Sequence, residues 1–100
     1  MIPVGCTCKN SFPFPYKKEE VASLYITYQE NGKTILEKSL EECSFSDGKI
    51  SVNLAQEDSL KFCENALIKI QIRSRLTNGA VIKSVVMSSH TDEILKRGAI

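Results

Sequence analysis

Apolar and polar residues alternate along much of this chain, and the alternation is sharpest across residues 66–89. Ile68, Ile70, Ile72 and Leu76 are separated by Lys69, Gln71, Arg73 and Arg75. That period of two puts one side of a strand in a core and the other in water. Asn78-Gly79 divides this run from residues 80–89, which carry Val81, Ile82, Val85 and Val86. An Asn-Gly pair tolerates positive φ and is the strongest short-range hairpin signal. The pattern predicts the central hairpin of an antiparallel sheet.

Upstream, residues 21–29 predict another strand, with Ala22, Leu24, Ile26 and Tyr28 on one face and Ser23, Tyr25 and Thr27 on the other. Glu30-Asn31-Gly32 turns the chain into a strand over residues 33–40. A two-residue Asn31-Gly32 turn would pair Ile26 with Glu37 and bury a carboxylate. A three-residue turn with Gly32 as a left-handed bulge pairs Ile26 with Leu36 and Tyr25 with Glu37, which keeps the apolar face continuous. The bulged turn is therefore expected. Residues 41–45 read as a short strand or bend, Ser46-Asp47-Gly48-Lys49 as a turn, and Ile50, Val52 and Leu54 as inward positions of a further strand. Residues 56–62 have helical character, acidic at the start and with Leu60 as anchor, and would carry the chain between sheets.

The chain ends differ from this middle. Residues 1–8 read as a frayed lead-in. Phe12-Pro13-Phe14-Pro15-Tyr16 places three aromatics on one face, and its prolines confine it to an edge strand or an extended arm. Residues 17–20 are a solvated loop. Asp92 and Glu93 before Ile94 and Leu95, then Lys96, Arg97 and Gly98, form a miniature helix signature too short to hold alone. The expected fold is all-β: an immunoglobulin-like antiparallel β-sandwich of about seven strands with one short helical turn, residues 1–100 forming a single domain. An SH3-like or other small barrel is the alternative.

Thirteen basic and twelve acidic residues give a net charge of +1, which makes no electrostatic case for nucleic acid or an anionic membrane. Residues 1–16 lack a basic stretch followed by an apolar one, so synthesis in the cytoplasm is expected. Cys6, Cys8, Cys43 and Cys63 are then reduced thiols. Cys6-Thr7-Cys8 is a close pair without the usual zinc-ligand spacing, and Cys43 and Cys63 read as small buried apolar residues. His90 stands beside Ser88, Ser89 and Asp92, but neighbours along one strand end do not converge as a triad. Neither a glycine-rich phosphate loop nor a metalloprotease or hydrolase motif is present. The expectation is a protein with no catalysis, cofactor, metal or small-molecule substrate.

Lys69, Arg73, Arg75 and Lys83 can share one sheet face. The plainer reading is a solvated outer surface that also protects the sheet. The functional reading is a contact for an acidic protein surface, with nucleic acid disfavoured because no exposed aromatic is expected beside the stripe. Phe12, Phe14 and Tyr16 near the start, with Ile94, Leu95 and Ile100 near the end, are the stronger candidates for partner binding. If its own domain leaves them uncovered, a neighbouring subunit would bury them.

Several stretches carry a family likeness: Ser11-Phe12-Pro13-Phe14-Pro15-Tyr16, Tyr25-Ile26-Thr27-Tyr28-Gln29-Glu30-Asn31-Gly32-Lys33, Leu36-Glu37-Lys38, residues 54–62, Ile70-Gln71-Ile72-Arg73 and Ile94-Leu95-Lys96-Arg97-Gly98. In this order they resemble small β-sandwich proteins from phage and prophage structural-gene modules of Firmicutes. The chain departs from that pattern at Ala55, where a capping threonine would stand, and at Ser89-His90-Thr91-Asp92, where the strand end would be more apolar. The resemblance implies a virion or virion-assembly component, made in the host cytoplasm and carried in the particle. It would bind itself, as a homo-oligomer, or other phage structural proteins. A generic adhesion-type binding module is the alternative.

Overall fold

In the computed structural model, which describes residues 1–100, the alternation resolves into two antiparallel sheets packed face to face. The strands are β1 (Cys8–Pro13), β2 (Val21–Glu30), β3 (Lys33–Ser39), β4 (Cys43–Ser46), β5 (Lys49–Leu54), β6 (Leu67–Leu76), β7 (Val81–Lys83) and β8 (Met87–His90). One sheet has the order β1-β5-β4 and the other β3-β2-β6-β7, with β8 pairing farther along β6. The chain changes sheet between β1 and β2, between β3 and β4, and between β5 and β6. The last crossing is made by a single helical turn, α1 (Gln56–Ser59). The all-β sandwich expected from periodicity is the fold, with eight strands rather than about seven.

Inward side chains from both sheets form one continuous core. Ile50, Val52 and Leu54 of β5 face Leu24, Ile26 and Tyr28 of β2 and Ile68, Ile70 and Ile72 of β6, all almost completely buried. Tyr28 spans the gap: its hydroxyl donates to Asn10 Oδ1 on the opposite sheet at 2.9 Å, so the buried phenol has a partner. β1 is an edge strand that ends at Pro13, and Phe12 and Phe14 lie buried in the core.

Several local expectations fail, each for a physical reason. The Asn31-Gly32 turn has two residues, both at positive φ (53° and 75°), the geometry of a tight hairpin turn. The register is corrected farther on, where Tyr28 pairs with Leu36 but Gln29 with Thr34, leaving Ile35 as an extra bulged residue. Ile26 therefore faces Lys38, not Leu36 or Glu37, and an ammonium group occupies the inward position. A second bulge between Val21 and Ser23 turns Ala22 outward and buries Val21 instead. The run over residues 80–89 is not one strand. Arg73 pairs with Lys83 and Ile70 with Met87, so Gln71 and Ile72 face three residues, Ser84 to Val86. Ser84 bonds Ile72 through both its backbone N–H (2.8 Å) and its hydroxyl (3.0 Å). Val85 and Val86 bulge into solvent.

The N-terminal segment is not frayed. Ile2 and Val4 are buried, Ile2 pairs in parallel with Thr91, and the Val4 N–H donates to Asp92 Oδ1 at 2.9 Å. Residues 92–98 form no helix, being too few to hold one alone, and the Asp92 carboxylate instead ties down the N-terminal segment. Nor is Leu60 the anchor of the crossover. The helix ends after one turn, Leu60 stays half-buried, and Phe62 enters the core against Tyr28 with ring centroids 5.9 Å apart. We expect Phe62→Ala to lower the unfolding free energy by about 3–5 kcal/mol. Leu60→Ala should cost clearly less in the same denaturant titration; equal costs would contradict this placement.

Candidate functional site

Three places carry polar or exposed apolar chemistry that the core does not consume: an ion-paired cluster at one end of the sandwich, the chain ends, and the outer face of the β3-β2-β6-β7 sheet.

The cluster follows from the β3 bulge, which points Lys38 inward. Its Nζ lies 2.9 Å from Asp58 Oδ2 and 3.2 Å from Glu42 Oε2. Each carboxylate is also held by backbone. Asp58 accepts the Ala55 N–H at 2.9 Å, tying the start of α1 without a capping threonine, and Glu42 accepts the Ser39 N–H at 3.1 Å. Burial opposes the Lys38 charge, but the hydrogen bonds to Asp58 and Glu42 outweigh it and the amine is held above its usual range. For Asp58, burial acts upward, yet its bonds to Lys38 and the Ala55 N–H hold the carboxyl below its usual range. Glu42 is lowered chiefly by the backbone bond at Ser39.

Two thiols lie near this cluster. Burial pushes Cys43 up to about 11 and also raises Cys8, so both are protonated near neutrality and poor nucleophiles. Cys63 is exposed, contrary to expectation, and its N–H donates to Glu30 Oε1 at 2.8 Å. The Glu30 carboxylate raises that thiol too. His90 is exposed at the end of β8, while Asp92 is turned away to the N-terminal segment, so the two do not meet. No group of three or more His, Cys, Asp and Glu is placed to hold a metal ion. No helix is long and apolar enough to cross a membrane.

The chain ends divide. Phe12 and Phe14 are covered by their own domain, and Tyr16 is partly covered, its ring edge-on to Phe14 at 5.6 Å. Ile94 is partly covered, whereas Leu95 and Ile100 are 92% and 93% exposed. The tail is held by polar contacts: Arg97 reaches Glu64 Oε1 at 3.3 Å, and Ile100 exchanges two hydrogen bonds with the Gln56 side chain. The six candidate residues therefore do not form one surface.

The outer face of the larger sheet does assemble side chains. Pairing sets Arg73 directly between Tyr25 on β2 and Lys83 on β7. Arg75 stands between Ser23 and Val81, and Lys69 between Gln29 and Ser88. All four cations of the predicted stripe are exposed on this sheet, and the ion pairs of the molecule lie elsewhere, at Lys38 and Arg97. Glu37 accepts from the Thr27 hydroxyl at 3.3 Å, with β2 between it and β6. Tyr25 is 48% exposed, which overturns the expectation that no aromatic would accompany the stripe. Its position was readable, since Tyr25 alternates with buried Leu24 and Ile26. Its neighbour Arg73 was not, because that needs the β2–β6 register. Val81 and Val86 add exposed apolar surface to the same side.

Comparison with protein-family models, curated proteins and solved structures finds no match to this chain.

The sign of the pH dependence around Lys38 follows from the three shifts. The depressed carboxyls of Asp58 and Glu42 contribute stability that is present above their unfolded values, about 4, and is lost as pH falls through the lower folded values. The raised Lys38 contributes below its unfolded value, about 10.4, and that part fades as pH rises through its higher folded value. Lys38→Met should cost about 1–3 kcal/mol at pH 7, between the exposed and buried limits for an ion pair. The difference from the parent should shrink as pH falls below about 4. A cost independent of pH, measured by urea unfolding, would show that packing of the Lys38 stem dominates.

Proposed function

We propose that the chain is a non-enzymatic phage or prophage structural protein that works in virion assembly by binding a neighbouring protein through the outer face of the β3-β2-β6-β7 sheet. Two things support this reading: the motif resemblance that runs along the chain, and the character of that face. The resemblance carries the virion part of the reading, and the face carries the binding part. It holds four cations without ion-pair partners together with exposed Tyr25, Val81 and Val86 on a sheet whose other side is locked into the core. Arginine and tyrosine are enriched at contact surfaces, and a sheet backbone already fixed by its core has little ordering entropy left to lose on binding. The exposed Leu95 and Ile100 offer a second, smaller contact at the chain end. In this reading Phe12 and Phe14 are core.

A second reading is an immunoglobulin-like adhesion-type module without a virion role, for which strand order supports the fold and leaves the role open. β1-β5-β4 against β3-β2-β6-β7 follows the order B-E-D against C′-C-F-G of an immunoglobulin-like sandwich. Genes for terminase, portal and tail proteins beside this one would favour the virion reading. The direct test is to purify particles on a density gradient and identify their proteins by mass spectrometry. The chain is expected to co-sediment at a fixed ratio to the major structural protein. Its absence from intact particles and assembly intermediates would overturn the proposal.

A further inference from the structure

We propose that Arg73, Arg75 and Lys83 form a receptor for an acidic extended segment of a partner protein, with Tyr25 and Val81 seating the side chains that neighbour its carboxylates. This rests on the reading of the outer sheet face as a contact surface and names the chemistry that the surface takes.

The first ground is an electrostatic conflict within the sheet. Arg73 and Lys83 are opposed across β6 and β7 in direct register, where side-chain origins on antiparallel strands lie roughly 5 Å apart. Like charges in that position destabilise a sheet. Arg75, two residues along β6, adds a third cation roughly 7 Å from Arg73. None of the three has a carboxylate partner. A carboxylate placed among them would turn repulsion into two charge-assisted contacts, and arginine can bind it through two parallel N–H groups.

The second ground is spacing. An extended segment with acids at alternate positions presents carboxylates on one side, also roughly 7 Å apart, which matches the step from Arg73 to Arg75. Shape agrees with this. Tyr25, Arg73, Arg75 and Val81 enclose one shallow depression, and Thr27, Lys69, Gln71 and Val86 lie around a second on the far side of Arg73. An extended chain crossing the face would meet a cation and an apolar wall in each. A protein segment suits this better than a nucleic acid. Val81 and Val86 offer nothing to a phosphate backbone, and the single Tyr25 ring is no series of stacking platforms.

The test uses the full chain and a fluorescein-labelled peptide with glutamate at alternate positions and serine and tyrosine between. Fluorescence anisotropy in low-salt buffer should show saturable binding that weakens as salt is added. The Arg73→Gln/Lys83→Gln double variant should lose about tenfold or more in affinity, as removal of charged contacts requires. Tyr25→Ser should also weaken binding. Lys9→Gln/Lys17→Gln, which removes the same charge elsewhere, should leave affinity unchanged. Absence of saturable binding, or equal losses in both double variants, would overturn the proposal. So would a single-stranded DNA oligonucleotide that binds more tightly than the peptide through the same residues, which would assign the face to nucleic acid. If the peptide fails to bind while the Arg73/Lys83 double variant, still folded, drops out of assembled particles, the contact surface stands and its acidic partner is refuted.

Discussion

The pairing of β2 with β6 is the constraint on which the rest depends. Two ten-residue strands run antiparallel from Val21 opposite Leu76 to Glu30 opposite Ile68, and they form the middle of the larger sheet. Because strand side chains alternate, one pairing decides both faces together. Leu24, Ile26, Tyr28, Ile68, Ile70 and Ile72 go inward, and Tyr25, Lys69, Arg73 and Arg75 go outward. The inner half cannot slip by one residue without exposing the core, so the outer half is equally fixed. A cationic face on such a scaffold is preorganised, unlike one carried on loops or on the tail.

Bulges absorb the mismatches, one of them within the central pair and two toward the outer strands. Bulges at Ala22, at Ile35 and across Ser84 to Val86 each insert one residue where strict alternation would misplace a side chain. The bulges at Ile35 and across Ser84 to Val86 also bend the ladder near the outer strands, which discourages open-ended sheet growth through β3 or β7. The Ile35 bulge has a further effect. It sends Lys38 inward, and the resulting bonds to Asp58 and Glu42 join β3 to the one helical turn and to the turn before β4. A polar linkage thus closes the end of the sandwich that apolar packing leaves open, while Tyr28 and Asn10 cross it from sheet to sheet.

Strand identity was legible because burial of one face imposes period two on Leu24–Ile26–Tyr28, Ile50–Val52–Leu54 and Ile68–Ile70–Ile72. The all-β class and the inward residues followed from those runs. Register was not legible, since the β2–β3 pairing depends on where a bulge sits and not only on turn length. The assumption that a charge could not face inward excluded the observed arrangement, and it failed because Asp58 and Glu42, distant or unremarkable in sequence, converge on Lys38. The buried Ile2 and Val4 were missed for a similar reason: their partners, Thr91 and Asp92, lie at the other end of the chain. Of the proposed contact face, the stripe Lys69, Arg73, Arg75 and Lys83 could be named from alternation. The opposition of Arg73 to Lys83, and the place of Tyr25 beside them, required the three-strand register.

The proposed contact requires that the outer face keep positive charge unrelieved within its own chain. Equilibrium unfolding of Lys83→Gln at low and at high salt tests it directly. Relief of repulsion from Arg73 should raise stability by up to about 1 kcal/mol at low ionic strength, the scale of a direct cross-strand pair. The gain should disappear near 1 M salt, where the screening length is roughly 3 Å. A loss of stability at low salt, or a gain that salt does not alter, would mean that Lys83 is already satisfied within its own chain, and would contradict the claim.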